Sequence, residues 1–296
     1  TTEIYTLSLH DALPILNLAE KDSLLYTSGE NLFIKGQYPR AAEVFSSYIA
    51  EFPSGSFRQN AQFYLAECYR RTENIDEALK LYAEVASAPV NQFTEQSLAA
   101  AAAITYSKED YAQSLAYYER LEKVATTTDV RISSLRGWIR SAWQLGDAQK
   151  TLLVADRILS TSNVPEELIR ETTFMRAKAN YSLNNYETAL SDFRKVATEV
   201  TTAEGAESKY RVAEILFRND QINESEKLVS EFIDQNTPHQ YWMAKIFILL
   251  SDISLKKGDK LQARVTLESL RDYYSVSDDG ILEEVKARLE TLNQTN

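Results

Sequence analysis

The 296-residue chain holds a single cysteine, Cys68, so no disulfide can close within it and a cysteine-rich zinc site is excluded. Histidine is nearly as scarce, with two residues, which leaves little from which to build a metal centre or a nucleophile–base pair. Only 8 glycines and 6 prolines punctuate the chain, too few for the many tight turns of an all-β protein. No apolar run approaches the ~18 residues of a membrane-spanning helix. Positive charge is in deficit as well: 32 Lys and Arg stand against 43 Asp and Glu, a net −11, with no dense basic cluster. Phosphate contacts need a basic face, so a nucleic-acid partner is not expected. Neither a glycine-rich phosphate loop nor a G-x-S-x-G or H-E-x-x-H pattern occurs, and neither catalysis nor a cofactor is expected of these residues.

What is abundant is alanine and leucine, and they are periodic. The phrase KGQYPRAAEVF, from Lys35, returns in altered form as TENIDEALKLY, KEDYAQSLAYY, LGDAQKTLLVA, LNNYETALSDF, NDQINESEKLV and KGDKLQARVTL. The aligned short residues, here called anchors, are Ala41, Ala78, Ser114, Thr151, Ala189, Ser225 and Ala263, separated by 37, 36, 37, 38, 36 and 38 residues. Four and seven residues past each anchor the side chains are small or apolar, as one buried helix face requires. Twelve residues before the anchors stand Gly29, Ala66, Ala102, Ile139, Ala177, Ala213 and Ser251. Six of these are small, as close helix–helix approach demands; beside the exception, Ile139, Gly137 suggests a shifted helix. A last amphipathic segment, residues 281–292, follows helical spacing through Ile281, Leu282, Val285, Leu289 and Leu292, and is expected to cap the array.

The first fifteen residues, TTEIYTLSLHDALPI, do not fit this pattern. They resemble the translation of a common sequencing-library adapter, and residues 1–15 are read as non-native. On that reading His10 is set aside, the remainder carries 41 acidic and 32 basic residues, and the natural chain begins upstream.

A small residue at the eighth position of a first helix, a tight turn and a small anchor at the twentieth resemble the tetratricopeptide repeat. The likeness runs over residues 24–274 and implies an all-α fold, a right-handed α-α superhelix of about seven helix pairs (residues 16–276) with a capping helix at 277–296. The period exceeds the family's ~34 residues. The excess is expected between copies, at EFPSGS, SAPVNQ, VATTTD, STSNVPEE, VTTAEG and QNTPHQ. Residues 42–69, with Phe52-Pro53-Ser54 and then Ala61, Leu65 and Ala66, are similar to repeats of bacterial envelope proteins such as the Tol–Pal coordinator and the outer-membrane-assembly lipoprotein. That resemblance implies a periplasmic or outer-membrane-associated scaffold, attached to the membrane, if at all, through the missing N-terminus. A cytoplasmic member of the family is the alternative.

The resemblance also places a protein or peptide partner along a concave groove lined by first helices. The residues fifteen before each anchor are Tyr26, Phe63, Ala99, Arg136, Phe174, Tyr210 and Ile248; those eight before are Phe33, Arg70, Tyr106, Trp143, Tyr181, Phe217 and Leu255. Phe63, Tyr106, Arg136, Arg140, Trp143, Phe174, Tyr181, Tyr210 and Phe217 are the candidate partner-binding residues, since Trp, Tyr and Arg most often anchor interfaces. Arg136, Arg140 and Lys178 are further candidates to meet a carboxylate. The competing reading is that the rings pack between helices. Cys68 and His239 read as a buried filler and a solvated loop residue, and acidic pairs such as Glu166-Glu167 as helix-start charges. Two other functions stay open: a glycan-binding envelope protein, and a regulatory arm of a larger truncated protein.

Overall fold

The computed structural model describes residues 18–294; the adapter-like segment lies outside them. Among the described residues there are fifteen α-helices: α1 (Leu18–Ile34), α2 (Tyr38–Glu51), α3 (Arg58–Arg71), α4 (Ile75–Ser87), α5 (Thr94–Ser107), α6 (Tyr111–Val124), α7 (Thr128–Gln144), α8 (Ala148–Ser160), α9 (Glu166–Ser182), α10 (Tyr186–Val196), α11 (Ala203–Arg218), α12 (Ile222–Asp234), α13 (Gln240–Lys256), α14 (Lys260–Tyr273) and α15 (Ile281–Gln294). They divide into two compact units, Thr1–Gly146 with α1 to α7 and Asp147–Asn296 with α8 to α15. Within each unit successive helices pack on one another. Each anchor lies in an even-numbered second helix, and each residue twelve before it lies in an odd-numbered first helix.

The repeat is written in the backbone as well as in the side chains. Five residues before each anchor the chain takes a left-handed conformation: Gly36, Glu73, Glu109, Gly146, Asn184, Asp220 and Gly258 have φ of 73°, 63°, 61°, 66°, 62°, 61° and 86°. Two hydrogen bonds close the first helix around that residue. The Gly36 N–H donates to the Phe33 carbonyl and the Gln37 N–H to the Leu32 carbonyl, both at 2.9 Å. The same pair recurs at Glu73/Asn74, Glu109/Asp110, Asn184/Asn185, Asp220/Gln221 and Gly258/Asp259. One residue later Asp110, Asp147 and Asp259 cap their second helices through the N–H groups of Gln113, Lys150 and Gln262.

The anchors join the two helices of a pair. The Ser114 hydroxyl donates to the carbonyl of Ala102 at 3.0 Å, and Ser225 to that of Ala213 at 2.8 Å; both acceptors sit twelve residues earlier. Gly29 holds the same place in the first pair, where a Cβ would lie 2.8 Å from the Phe45 ring. Two residues before Ile139, Gly137 serves a different contact: Tyr118 of the preceding α6 lies over it, and a Cβ there would meet the ring at 2.2 Å. The extra residues of the long repeat lie between pairs, at 52–57, 88–93, 125–127, 161–165, 197–202 and 235–239. In unit 2, α15 buries Ile281, Val285, Leu289 and Leu292 with Ala244, Ile248, Leu267 and Leu270. At about 1.5–3 kcal/mol per fully buried large apolar side chain, that contact is a substantial contribution to the end of the array.

Candidate functional site

The two residue sets on the first helices differ in depth. Fifteen before the anchors, Tyr26, Phe63, Tyr210 and Ile248 are buried, Arg136 and Phe174 half-buried, and only Ala99 is exposed. Eight before, none is buried: Phe33, Tyr106, Trp143, Tyr181, Phe217 and Leu255 are half-buried and Arg70 is exposed. The deeper set forms the floor of the first-helix face and the shallower set its open surface.

In unit 1 the floor is ring against ring. Tyr26 stacks on Phe57 at 4.6 Å between centroids and Phe63 on Phe93 at 4.4 Å; from the shallower set Phe33 meets Tyr64 edge-on at 5.0 Å. One ionic node interrupts it. Glu67 accepts from Arg70 at 2.8 Å and from the buried Tyr82 hydroxyl. Burial alone would raise the Glu67 carboxyl, but these donors and the Arg71 charge hold it below its ordinary value. Tyr106 leans edge-on against Tyr111 at 5.2 Å. On α7, Arg140 is exposed, Trp143 half-buried, and the Arg136 Nε is a buried donor with no hydrogen-bond partner among the described residues.

In unit 2 the same face is a lattice of charges threaded between rings. Glu214 on α11 accepts from Tyr181 (2.8 Å), Tyr210 (3.2 Å), Arg211 (2.9 Å) and Arg218 (3.4 Å). The Arg211 guanidinium lies 4.7 Å from the Tyr181 centroid, 5.4 Å from Tyr210 and 5.9 Å from Trp242, within cation–π range of all three. Burial pushes Glu214 upward, yet Arg211, Tyr181 and Arg218 outweigh it and its carboxyl lies below the usual range. Tyr181 is pushed up by burial and by its bond to Glu214. Lys178 pairs with Glu207 at 3.0 Å, so the carboxylate sought for that lysine is inside its own chain. Its ammonium also lies 5.2 Å from the Phe174 centroid. Beyond, Arg288 makes a two-bond fork to Asp252 at 3.0 Å each and Lys245 pairs with Glu284 at 2.8 Å. Tyr210, Glu214, Phe217, Arg218, Lys245 and Arg288 line a cavity of about 320 Å³ whose cations are all paired.

Of the nine candidates, then, the structure joins Tyr181 and Tyr210 through Glu214, sets Phe217 on a cavity wall, and seals Phe63 and Tyr210 into the floor. Sequence reading missed Glu207, Arg211, Glu214 and Arg218. Their signal was present: four alternating charges spaced four, three and four apart on α11, the one first helix in which all four of these positions are charged. Outside the face, Cys68 is buried and its thiol is pushed up to about 12 by burial. His239 lies partly exposed in the loop before α13, with Nε2 3.0 Å from the Thr201 carbonyl. No group of three or more His, Cys, Asp or Glu converges as a metal site among the described residues, and no described helix is long and apolar enough to cross a membrane.

A stack of helix pairs with a small residue at each crossing and an open, aromatic first-helix face defines a tetratricopeptide-like solenoid. Comparison with known proteins agrees. Residues 26–91 match the tetratricopeptide repeat family profile. Among solved structures the chain is similar to a tetratricopeptide repeat protein from Parabacteroides merdae, with 15% identity over 92% of this chain and 98% of that one and a TM-score of 0.44. It is also similar to the quorum sensor NprR of B. thuringiensis in its apo form, at 12% identity over 95% of this chain and 84% of that, TM-score 0.50. A third similar structure is a chain of the Naa15/Naa10 assembly bound to HypK-THB, at 14% identity over 93% of this chain and 42% of that, TM-score 0.56. At such identities the likeness to the latter two is one of fold alone. A comparison with curated protein sequences found no match.

Proposed function

We propose that the chain is a non-catalytic scaffold that holds a protein or peptide partner against the first-helix face. The observation that carries this reading is the shallower residue set: at one fixed repeat position, seven successive first helices present a half-buried or exposed side chain, mostly aromatic. Rings of that kind, partly immobilised before binding, lose little entropy when a partner covers them. Tyr106, Trp143, Tyr181 and Phe217 are the central residues of this proposal, with the exposed Arg140 beside Trp143 on α7. The decisive comparison is affinity capture of partners by wild type and by Trp143→Ala and Phe217→Ala, with far-UV circular dichroism to confirm folding. Equal recovery by all three removes the first-helix face from consideration.

The compartment belongs to the same proposal. The resemblance of residues 42–69 to envelope repeats supports a periplasmic or outer-membrane-associated scaffold in a bacterium. The Phe52-Pro53-Ser54 turn that carries it is well built: Phe52 is buried, and the Tyr48 hydroxyl accepts from the Phe57 N–H at 3.0 Å. Fractionation of cells expressing the native gene checks this directly; recovery in the cytoplasm alone overturns it.

A further inference from the structure

Two grooves in unit 2 occupy equivalent places one repeat apart. The first is lined by Lys209 and Val212 of α11 and Glu224, Lys227 and Glu231 of α12, with Arg194 at its edge. Adding 38 to these positions on α11 and α12 gives Phe247 and Leu250 of α13 and Gln262, Val265 and Ser269 of α14, all of which line the second groove, of about 700 Å³. The first groove is salt-laced. The second has no charged residue among its lining side chains, and Pro238, Met243 and Tyr273 extend its apolar wall. In a chain that is 25% charged, an open groove of this size free of charge is a marked departure.

The outward side of α14 departs in the same direction. Two residues before each anchor the chain carries Pro39, Asp76, Ala112, Gln149, Glu187 and Asn223, then Leu261; two residues after come Glu43, Lys80, Ala116, Leu153, Ser191 and Lys227, then Val265. Leu261, Val265 and Tyr273 are 73%, 50% and 86% exposed and fall four and eight residues apart, one stripe along the helix. Other second helices meet water there with polar or small residues, apart from Leu153. Only α14 combines both positions as large apolar groups beside an uncharged groove.

We propose that this groove and stripe dock an amphipathic segment of another protein, with an apolar contact face and basic residues along its flanks. The apolar face follows from the lining: a charge inserted there would be desolvated with no partner. The basic flanks follow from charge complementarity. Asp234, Asp252, Asp259, Glu268, Asp272 and Asp278 stand in the chain next to or within three residues of lining residues, against four cations, Lys245, Lys260, Arg264 and Arg271, of which Arg271 is already paired with Asp272. Two of these cations are turned elsewhere, Lys245 to Glu284 and Arg264 to Asn293. This surface uses none of the first-helix candidates, so it stands or falls apart from the function proposed above.

The test converts repeat seven to the chemistry of repeat six. The triple variant Val265→Lys, Ser269→Glu, Tyr273→Gln changes exposed positions only and copies Lys227, Glu231 and Gln235. The probe is a fluorescein-labelled 18-residue helical peptide, leucine on one face and lysine on both flanks, followed by anisotropy with the whole chain. Wild type should bind it, a glutamate-flanked version should bind at least about tenfold more weakly, and the triple variant should lose a similar factor. Trp143→Ala should bind as wild type does. Equal binding by wild type and triple variant, or no preference for lysine flanks, overturns the proposal. So does light scattering that shows a dimer dispersed by the triple variant, because the occupant is then a second copy of this chain.

Discussion

Unit 1 and unit 2 use the same repeat positions to different ends. In unit 1 the first-helix floor is held by rings in direct contact, with Glu67 as its ionic node; in unit 2 ring contacts such as Tyr210 on Trp242 are joined by a charge lattice in which Arg211 lies between rings and Glu214 ties Tyr181 to Tyr210. A second buried node strengthens the contrast. Asp192, 2% exposed, takes a two-bond fork from Arg176 at 2.7 and 2.9 Å and a third bond from Lys195. A tetratricopeptide-like pair therefore demands small residues at the crossing and a left-handed turn, and leaves the chemistry of the open face free. Function can vary along the array while the fold does not.

The largest effects should come from removing one node of each kind. Asp192→Ala leaves the Arg176 guanidinium half-buried with only the exposed Asp156 to meet it, and is expected to cost about 3 kcal/mol. Phe63→Ala in unit 1 should cost about 3–4 kcal/mol through the cavity left beside Phe93 and Tyr82. Urea titrations at neutral and at acid pH separate the two. The Asp192 loss should shrink in acid, where the wild-type carboxyl is protonated as well, while the Phe63 loss should not. Equal response to pH would erase the distinction between the units.

Acid sharpens the comparison at intermediate size. The carboxyls of Asp192 and Glu214 are raised by burial but lowered further by Arg176, Lys195, Arg211 and Tyr181, for a net downward displacement. Folded values below the unfolded ones mean stability that is present above about pH 4 and is lost as pH falls through the folded values. Half-buried Glu67 contributes the same way in unit 1. Trp242, against Tyr210 and Arg211, reports on unit 2 once Trp138 and Trp143 are replaced by Phe. Cys68, fully buried, reports on unit 1 through its reaction with a dipyridyl disulfide, which reads thiols in acid. Trp242 emission should shift at a higher pH than Cys68 becomes reactive; the reverse order would place the acid-labile lattice in the wrong unit.

Much of the fold was legible because it rests on spacing. The anchors, the small residues twelve before them and the capping segment of α15 are one-dimensional patterns, and the structure places each in the helix expected of it. What was hidden depends on depth and on partners far apart in the chain. Tyr210 and Phe217 differ by seven residues on one stripe, so periodicity cannot tell which is floor and which is surface. Arg176 meets Asp192 sixteen residues on, and Lys178 meets Glu207 twenty-nine residues on, pairings set by how neighbouring helices cross. The stripe on α14 was a third case: visible in the sequence, but only when the outward positions of all seven copies are compared rather than the inward ones.

The smallest effects lie in the turns, which test whether the shared frame is as uniform as the faces are varied. All seven turns need a left-handed residue, yet glycine supplies it only at Gly36, Gly146 and Gly258. Glu73 and Glu109 hold φ of 63° and 61° at the steric cost of a Cβ, and Glu109 is exposed. Glu109→Gly relieves that cost but gives the unfolded chain more freedom, so the net gain should be about 0.5–1 kcal/mol. The reciprocal change, Gly258→Ala, meets no atom within 4 Å, so any loss it causes is purely conformational, about 1 kcal/mol. Thermal unfolding of the two variants should therefore move in opposite directions by similar amounts. If Glu109→Gly destabilises instead, the glutamate is contributing something to its turn that glycine cannot, and the seven turns are not equivalent after all.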